Sequence, residues 1–280
     1  MGTGVRIAVA SASLGSGFAG LVYSYLKKQL EPGESIVECA IPARADAEFV
    51  HARLVQLLEG EPKPIALVGI CLRTDRPALQ AYRAAGAPVI LVDEEAEGAS
   101  TVASDNFAGG RLAGEHLARA GRKSIAVVSG EMHINGGYNA LQRVKGFARA
   151  CAEHRLPFRM EDVIEVVYYT QKDGQNAMTR LLQERRKPDA VFCAAGDATA
   201  TGMMSVARQH GIKIPEQLAV LGYDDSPLAA IANPPLSSIR QSAEEFASEA
   251  YRLATARREE CLAKPRRVLF PPRLVVRQSA

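Results

Sequence analysis

Leu218-Ala-Val-Leu-Gly-Tyr-Asp-Asp-Ser226, followed closely by Asn233-Pro-Pro-Leu-Ser-Ser-Ile-Arg-Gln241, decides how this chain is read. The apolar run Leu218–Leu221 has the length and character of a buried strand. Gly222 interrupts it, and two adjacent carboxylates, Asp224 and Asp225, stand just past its end. In an open parallel sheet, small molecules are met beyond the carboxyl ends of the strands. Asp224 and Asp225 therefore stand where a polar ligand would be met, although a helix N-cap explains such a carboxylate too.

Working outward, short apolar runs alternate with longer helical patterns. Strands are expected at Arg6–Ala10, Ser35–Ala40, Ile65–Ile70, Val89–Val92 and Thr101–Val102. Helices are expected at about 17–30, 46–59, 76–85 and 107–120; the first places Phe18, Leu21, Val22, Tyr25 and Leu26 at three- and four-residue spacing. This is the rhythm of a doubly wound α/β sheet. It restarts at Lys123-Ser-Ile-Ala-Val-Val-Ser-Gly130, a run similar in form to Val5-Arg-Ile-Ala-Val-Ala-Ser11. Further strands are expected at 163–168, 189–194 and 218–222, and helices at 139–153, 173–186 and 198–210, the last ended by Gly211. A helix over Ala243–Ala263 and an extended tail, Arg267–Arg277, leave no room for a third lobe. The expectation is two Rossmann-like lobes, each a parallel sheet flanked by helices, with several hinge crossovers. The first covers 1–120 and is completed by about 241–264; the second covers 121–240 and is completed by about 265–280.

Composition narrows the function. The chain has 280 residues, 47% of them hydrophobic and 23% charged, with a net charge of +3. That is ordinary globular composition, with too little net charge to bind nucleic acid by bulk electrostatics. Trp is absent, so no Trp platform can stack on a sugar. Cys39, Cys71, Cys151, Cys193 and Cys261 are odd in number and widely spaced, the pattern of reduced, unpaired cysteines. The apolar run after Met1-Gly-Thr-Gly is too short for a secretory leader and nothing is long enough to span a membrane. A cytoplasmic location is expected.

Four segments, taken in order, resemble the effector-binding core of the Lac repressor (LacI/GalR) family. Val102-Ala-Ser-Asp-Asn-Phe-Ala-Gly-Gly-Arg-Leu-Ala-Gly-Glu-His-Leu-Ala-Arg-Ala-Gly-Arg-Lys-Ser-Ile-Ala-Val127 is similar to the family's D-N-x-x-G-G run. Arg143-Val-Lys-Gly-Phe147 is similar to its R-x-x-G-F. The opening pair of segments and Pro272-Arg-Leu-Val-Val-Arg-Gln-Ser279 complete the likeness, which spans about Val5 to Ser279. The resemblance implies a periplasmic-binding-protein-like fold of type I, a homodimer, and a sugar or related polyol held as effector in a cleft whose closure carries the signal. It also implies a helix-turn-helix headpiece ahead of the core. The first core strand begins at Val5, so operator DNA is expected as a partner only of a protein that carries that headpiece.

By that resemblance Arg143 reaches the effector, and a guanidinium fork suits vicinal hydroxyls or a carboxylate. Asp224 matches the carboxylate that accepts sugar hydroxyls. On this reading Arg143→Ala abolishes binding and leaves the melting temperature of the free protein nearly unchanged. Asp105 matches a position that lines the cleft but competes with capping of the next helix. Asn139, four residues before Arg143, falls on the same helix face. In the first lobe, Ser13, Ser16 and Phe18 follow the first strand, where Phe18 serves either an apolar ligand face or the core. The family commonly has Asn-Asp where this chain has Gly196-Asp197, so an amide contact is lost and Asp197 is left as ligand residue or helix cap. Ser242 stands where the family often has Pro.

Rival classes find less support. His51, His116, His133, His154 and His210 lack metal-ligand spacing, and no nucleophile elbow or phosphate loop is present. Gly15-Ser-Gly17 only echoes a dinucleotide loop. No enzyme activity, metal or cofactor is expected. The basic clusters Arg185-Arg-Lys187, Arg257-Arg258 and Lys264-Pro-Arg-Arg267 read as solvated helix ends. The alternative to a regulator is the solute-binding protein of a sugar transport or sensing system.

Overall fold

The computed structural model describes residues 5–72, 74–132, 138–184 and 187–280. His133 and the Arg185–Arg186 part of one basic cluster lie outside the described residues. Packing divides the chain into two compact units, one comprising the residues up to Ala103 with Ser242–Phe270, the other Ser104–Gln241 with Pro271–Ala280.

The first unit contains β1 (Arg6–Ser11), α1 (Gly17–Gln29), β2 (Ser35–Ala40), α2 (Ala47–Leu58), β3 (Ala66–Ile70), α3 (Arg76–Ala84), β4 (Val89–Val92) and β5 (Ser100–Ser104), whose last residue passes into the second unit. The second unit continues with α4 (Asn106–Arg119), β6 (Ile125–Gly130), α5 (Tyr138–Glu153), β7 (Ile164–Val166), α6 (Gln171–Gln183), β8 (Ala190–Cys193), α7 (Asp197–Gln209), β9 (Ala219–Asp224), α8 (Pro227–Ile231) and β10 (Ser237–Arg240). The chain then returns to the first unit for α9 (Ala243–Thr255), α10 (Arg258–Ala263) and β11 (Arg267–Phe270), and ends in the second with β12 (Arg273–Val275).

The two sheets repeat one topology. The first runs β11-β5-β4-β3-β1-β2 and the second β12-β10-β9-β8-β6-β7. β1 to β5 pair in parallel, as do β6 to β10, while β12 joins β10 antiparallel. The inner strands of each sheet are buried on both faces, which explains why they read as continuous apolar runs and not as alternation. Ile7 and Val9 pack with α1 and α9, while Ala8 and Ala10 face α2 and α3. In the second sheet Val128, Val191 and Val220 meet α6 and α7, and Val127, Phe192 and Leu221 meet α4 and α5.

Expected elements and observed ones differ where local chemistry outweighs pattern. Packing places α4 in the second unit, so the boundary falls at 103/104 instead of near 120. The reason is burial: Ala113 and Leu117 of α4 belong to the core formed by Val127, Phe192 and Leu221. The expected helix 243–263 is two helices, α9 and α10. The extended tail splits at Pro271–Pro272, sending β11 to the first sheet and β12 to the second, so 265–270 does not join the second lobe. Two prolines in a row cannot donate ladder hydrogen bonds, so the strand must end there. β10 and the short α8 were not expected. Gly211, with φ of 70°, does close α7, its N–H bonding the Arg208 carbonyl at 2.9 Å.

Candidate functional site

The carboxyl edge of the second sheet gathers the polar groups. At the end of β9, Asp224 and Asp225 both adopt left-handed backbone, φ 97° and 52°. Non-glycine residues hold that conformation only where their surroundings enforce it. Here the Asp225 N–H bonds Ser238 Oγ at 3.1 Å, and the Ser226 N–H bonds Asp197 Oδ2 at 2.6 Å. The Asp225 carboxylate is buried between Arg240 and Arg277, each reaching it at 2.6 Å. Asp225 is thus an anchor of the turn. Asp224 Oδ1 accepts a 2.7 Å hydrogen bond from Gln241 Nε2.

Arg143 approaches the same edge from α5, and two glycines make its approach possible. A β-carbon at Gly110 of α4 would collide with the Arg143 carbonyl, and one at Gly146 of α5 with the Phe107 carbonyl. The paired glycines of the two motifs therefore let α4 and α5 touch backbone to backbone. That contact sets Arg143 beside Asn106: Arg143 Nε donates to Asn106 Oδ1 at 2.7 Å, and Nη1 to the Ala194 carbonyl at 3.0 Å. The guanidinium lies 3.8 Å above the Tyr223 ring, whose hydroxyl donates to the same Asn106 Oδ1 at 3.2 Å. Arg143 is only 7% exposed.

Arg143 and Asp224 converge on the turn between β8 and α7. Arg143 bonds the carbonyl of Ala194, and a β-carbon on Gly196 would sit 2.8 Å from Asp224 Oδ2. Gly196 has φ of 109°, a conformation suited to glycine. The residue that departs from the family pattern is therefore one with room above it for the Asp224 carboxylate. Asn139 is buried on α5 one turn before Arg143.

Other expected residues have local tasks. Asp105 caps α4, accepting from the Ala108 N–H at 2.9 Å, and is exposed. Asp197 does not cap α7 and does not face solvent: it is 1% exposed and ties β10 to the turn after β9 through Ser238 Oγ (2.7 Å) and the Ser226 N–H. Burial lifts its carboxyl to about 6, against the pull of those two serines and with a push from Asp225. In the first unit, Ser13 Oγ and Ser16 Oγ lie 2.9 Å apart in the loop after β1. Phe18 packs edge-on against Phe246, ring centroids 5.6 Å apart, as part of the core.

Four residues of the edge escaped sequence reading in these roles: Asn106, Tyr223, Gln241 and Tyr169. The first three sat inside the quoted motifs. Tyr169 follows β7, is 47% exposed with φ of 57°, and its ring occupies the space where a β-carbon on Gly130 would stand. An aromatic residue just past a strand end is the sequence signal for it.

A shallow cavity of about 400 Å³, lined by Glu95, Glu97, Thr101 and Arg267 among others, lies at the amino end of β5, away from the carboxyl edge of its sheet. Among the described residues no group of His, Cys, Asp and Glu is placed to hold a metal, and no helix is long and apolar enough to cross a membrane. None of the five cysteines is in a disulfide, and four of them are buried.

A doubly repeated parallel sheet with polar groups at the carboxyl edge defines a small-molecule-binding module, and comparison with known proteins identifies which. Residues 115–280 match the periplasmic binding protein-like domain. The transcriptional repressor PurR of Haemophilus influenzae (strain ATCC 51907 / DSM 11121 / KW20 / Rd) is 31% identical over 69% of this chain and 57% of its own. The transcriptional regulator CelR of Thermobifida fusca is 32% identical over 82% of this chain and 67% of its own. The solved CelR–cellobiose complex superposes with a TM-score of 0.84 at 28% identity, covering 99% of this chain and 86% of that one. The chain belongs to the periplasmic-binding-protein-like family and, within it, is a LacI-family effector-binding core. It spans 57% of the first of these relatives.

Proposed function

We propose that this core binds a sugar or related polyol through the carboxyl edge of its second sheet, with Asp224 accepting hydroxyl donors and Arg143 supplying a fixed cationic fork. The observation that carries the reading is the convergence of the two groups on the Ala194–Gly196 turn. A carboxylate and a guanidinium held on rigid strand ends suit neighbouring hydroxyls. CelR, solved with cellobiose, is similar over nearly the whole chain, which supports a saccharide over other polar ligands. Asn139 and Tyr169 are further contacts in this proposal; the serine pair Ser13–Ser16 belongs to the first unit. Asp105, Asp197 and Phe18 are left out because capping, burial and core packing already account for them.

In this proposal the core acts as a regulator's sensor and turns nothing over, it works in the cytoplasm as a homodimer, and operator DNA is a partner only of a protein that carries a headpiece ahead of the core. The relatives are transcriptional regulators, which disfavours a transport role. The test is a thermal-shift screen against sugars beginning with cellobiose, sugar phosphates, purines and small organic acids. A ligand of the folded state raises Tm by mass action. A hit among neutral sugars that is lost in Asp224→Asn supports the proposal; a hit confined to anions overturns it. Sedimentation tests the dimer, and sugar-turnover assays the absence of catalysis.

A further inference from the structure

The chain crosses between its units at 103/104, 241/242 and 270/271. The first two crossings each lie one side chain away from a proposed effector residue. Gln241, the last residue before the second crossing, is 4% exposed and donates to Asp224 Oδ1 at 2.7 Å. Asn106, 4% exposed, accepts from Arg143 Nε at 2.7 Å and donates through Nδ2 to the carbonyl of Ser104, the first residue past the other crossing, at 3.2 Å. Neither arrangement is what surface polar residues ordinarily do, since buried amides are kept only where their hydrogen bonds are used.

We infer that Gln241 and Asn106 are positioning residues that transmit the state of Asp224 and Arg143 to the two crossings. The inference rests on the proposed effector site and adds how occupancy of that site reaches the connecting strands. Gln241 carries a second indication: its Oε1 is buried and has no hydrogen-bond partner. A buried acceptor left unpaired is costly, so the amide is poised to change partners when Asp224 takes up a ligand. Its neighbour Ser242 caps α9 through the Glu245 N–H at 3.3 Å, so a displaced Gln241 acts directly on the first turn of that helix.

Hydrogen exchange on the ligand-free protein tests the relay without any effector. Asp224→Ala should speed exchange of the Glu245 and Phe246 amides, both of which donate to Ser242, by about fivefold, the factor for one lost hydrogen bond. Gln241→Leu should do the same, and the double variant should add nothing further, because both remove one bond. Gln241→Glu provides the discriminating readout. Facing Asp224, it restores protection at acid pH, where the two carboxyls share a proton, and loses it at neutral pH, where both are charged. A Gln241 that merely filled space would show no such pH dependence. Additive effects, or amides indifferent to Asp224, would overturn the relay. Failure of the sugar screen alone would count against the proposed ligand and leave these exchange results standing, so the two failures are distinguishable.

Discussion

Arg143 was expected from sequence to matter for binding alone; its burial makes it matter for folding as well. Arg143→Met keeps most of the side-chain volume and removes the guanidinium. Two hydrogen bonds from a charged donor are lost, to Asn106 Oδ1 and the Ala194 carbonyl, and such bonds are worth about 1.5–3 kcal/mol each. The contact over Tyr223 adds about 1–2 kcal/mol in a desolvated setting. Against these stands the cost of burying the cation, of the order of several kcal/mol, which the methionine does not incur. A net loss of about 3 kcal/mol remains, or a fall in Tm of roughly 6–12 °C for a domain of about 150 residues. Urea denaturation followed by circular dichroism measures it, with an unchanged m-value showing that the transition still compares the same two states. Arg143→Lys keeps the charge but not the planar fork, and should lie between. A Met variant within about 0.5 kcal/mol of the parent, the range of an ordinary surface substitution, would refute the assignment of Arg143 to the framework of the site.

Asp197 gives the protein a pH-dependent stability. Its carboxyl is raised to about 6 in the folded state, above an ordinary value near 4, so its contribution is fully present below pH ~4 and is lost as pH rises through ~6, about 3 kcal/mol in all. Asp197→Asn should abolish that slope in melts at pH 4 to 7, even though the amide lowers stability by giving up one acceptor. Gly146→Ala drives a methyl into the Phe107 carbonyl and should cost about 3 kcal/mol or more, read as loss of the folded baseline or a large drop in Tm. Asp105→Ala should cost about 1 kcal/mol as a lost cap and leave the affinity for any sugar found in the screen unchanged by calorimetry; a tenfold weaker affinity would restore Asp105 to the site.

The fold was legible because its strands announce themselves. Ile7–Ala10, Leu67–Ile70 and Val89–Val92 are apolar on both faces, and such runs separated by helical spacing leave few alternatives to a doubly wound parallel sheet. The cap weighed at Asp105 is present, its carboxylate accepting the N–H three residues on. The assignment of α4 was not legible in this way. Its apolar face, Ala113 and Leu117, fits either sheet by pattern, and only long-range packing against Val127 and Leu221 decides between them. The tail carries a related ambiguity, because one extended stretch can serve two sheets if a proline pair breaks it.

The site was legible as a location more than as a set of roles. Asp224 and Arg143 do meet at one turn, yet four conspicuous polar residues of the motifs, Asp105, Asn106, Asp197 and Asp225, are engaged with backbone or with other side chains. The physical reason is that a left-handed turn carrying two adjacent aspartates, placed over a glycine of φ 109°, is costly to hold. Asp197 and Ser238 secure its backbone, Arg240 and Arg277 neutralise its second carboxylate, and Gln241 orients the first. Arg143 needs a similar shell in Asn106 and Tyr223. A carboxylate and a guanidinium aimed in advance lose little freedom when a ligand arrives, so under the proposed function the residues that fold the turn also orient Asp224 and the buried Arg143 for binding. Sequence motifs record both sets without distinction, because the chemistry that builds the edge and the chemistry that uses it draw on the same few residue types.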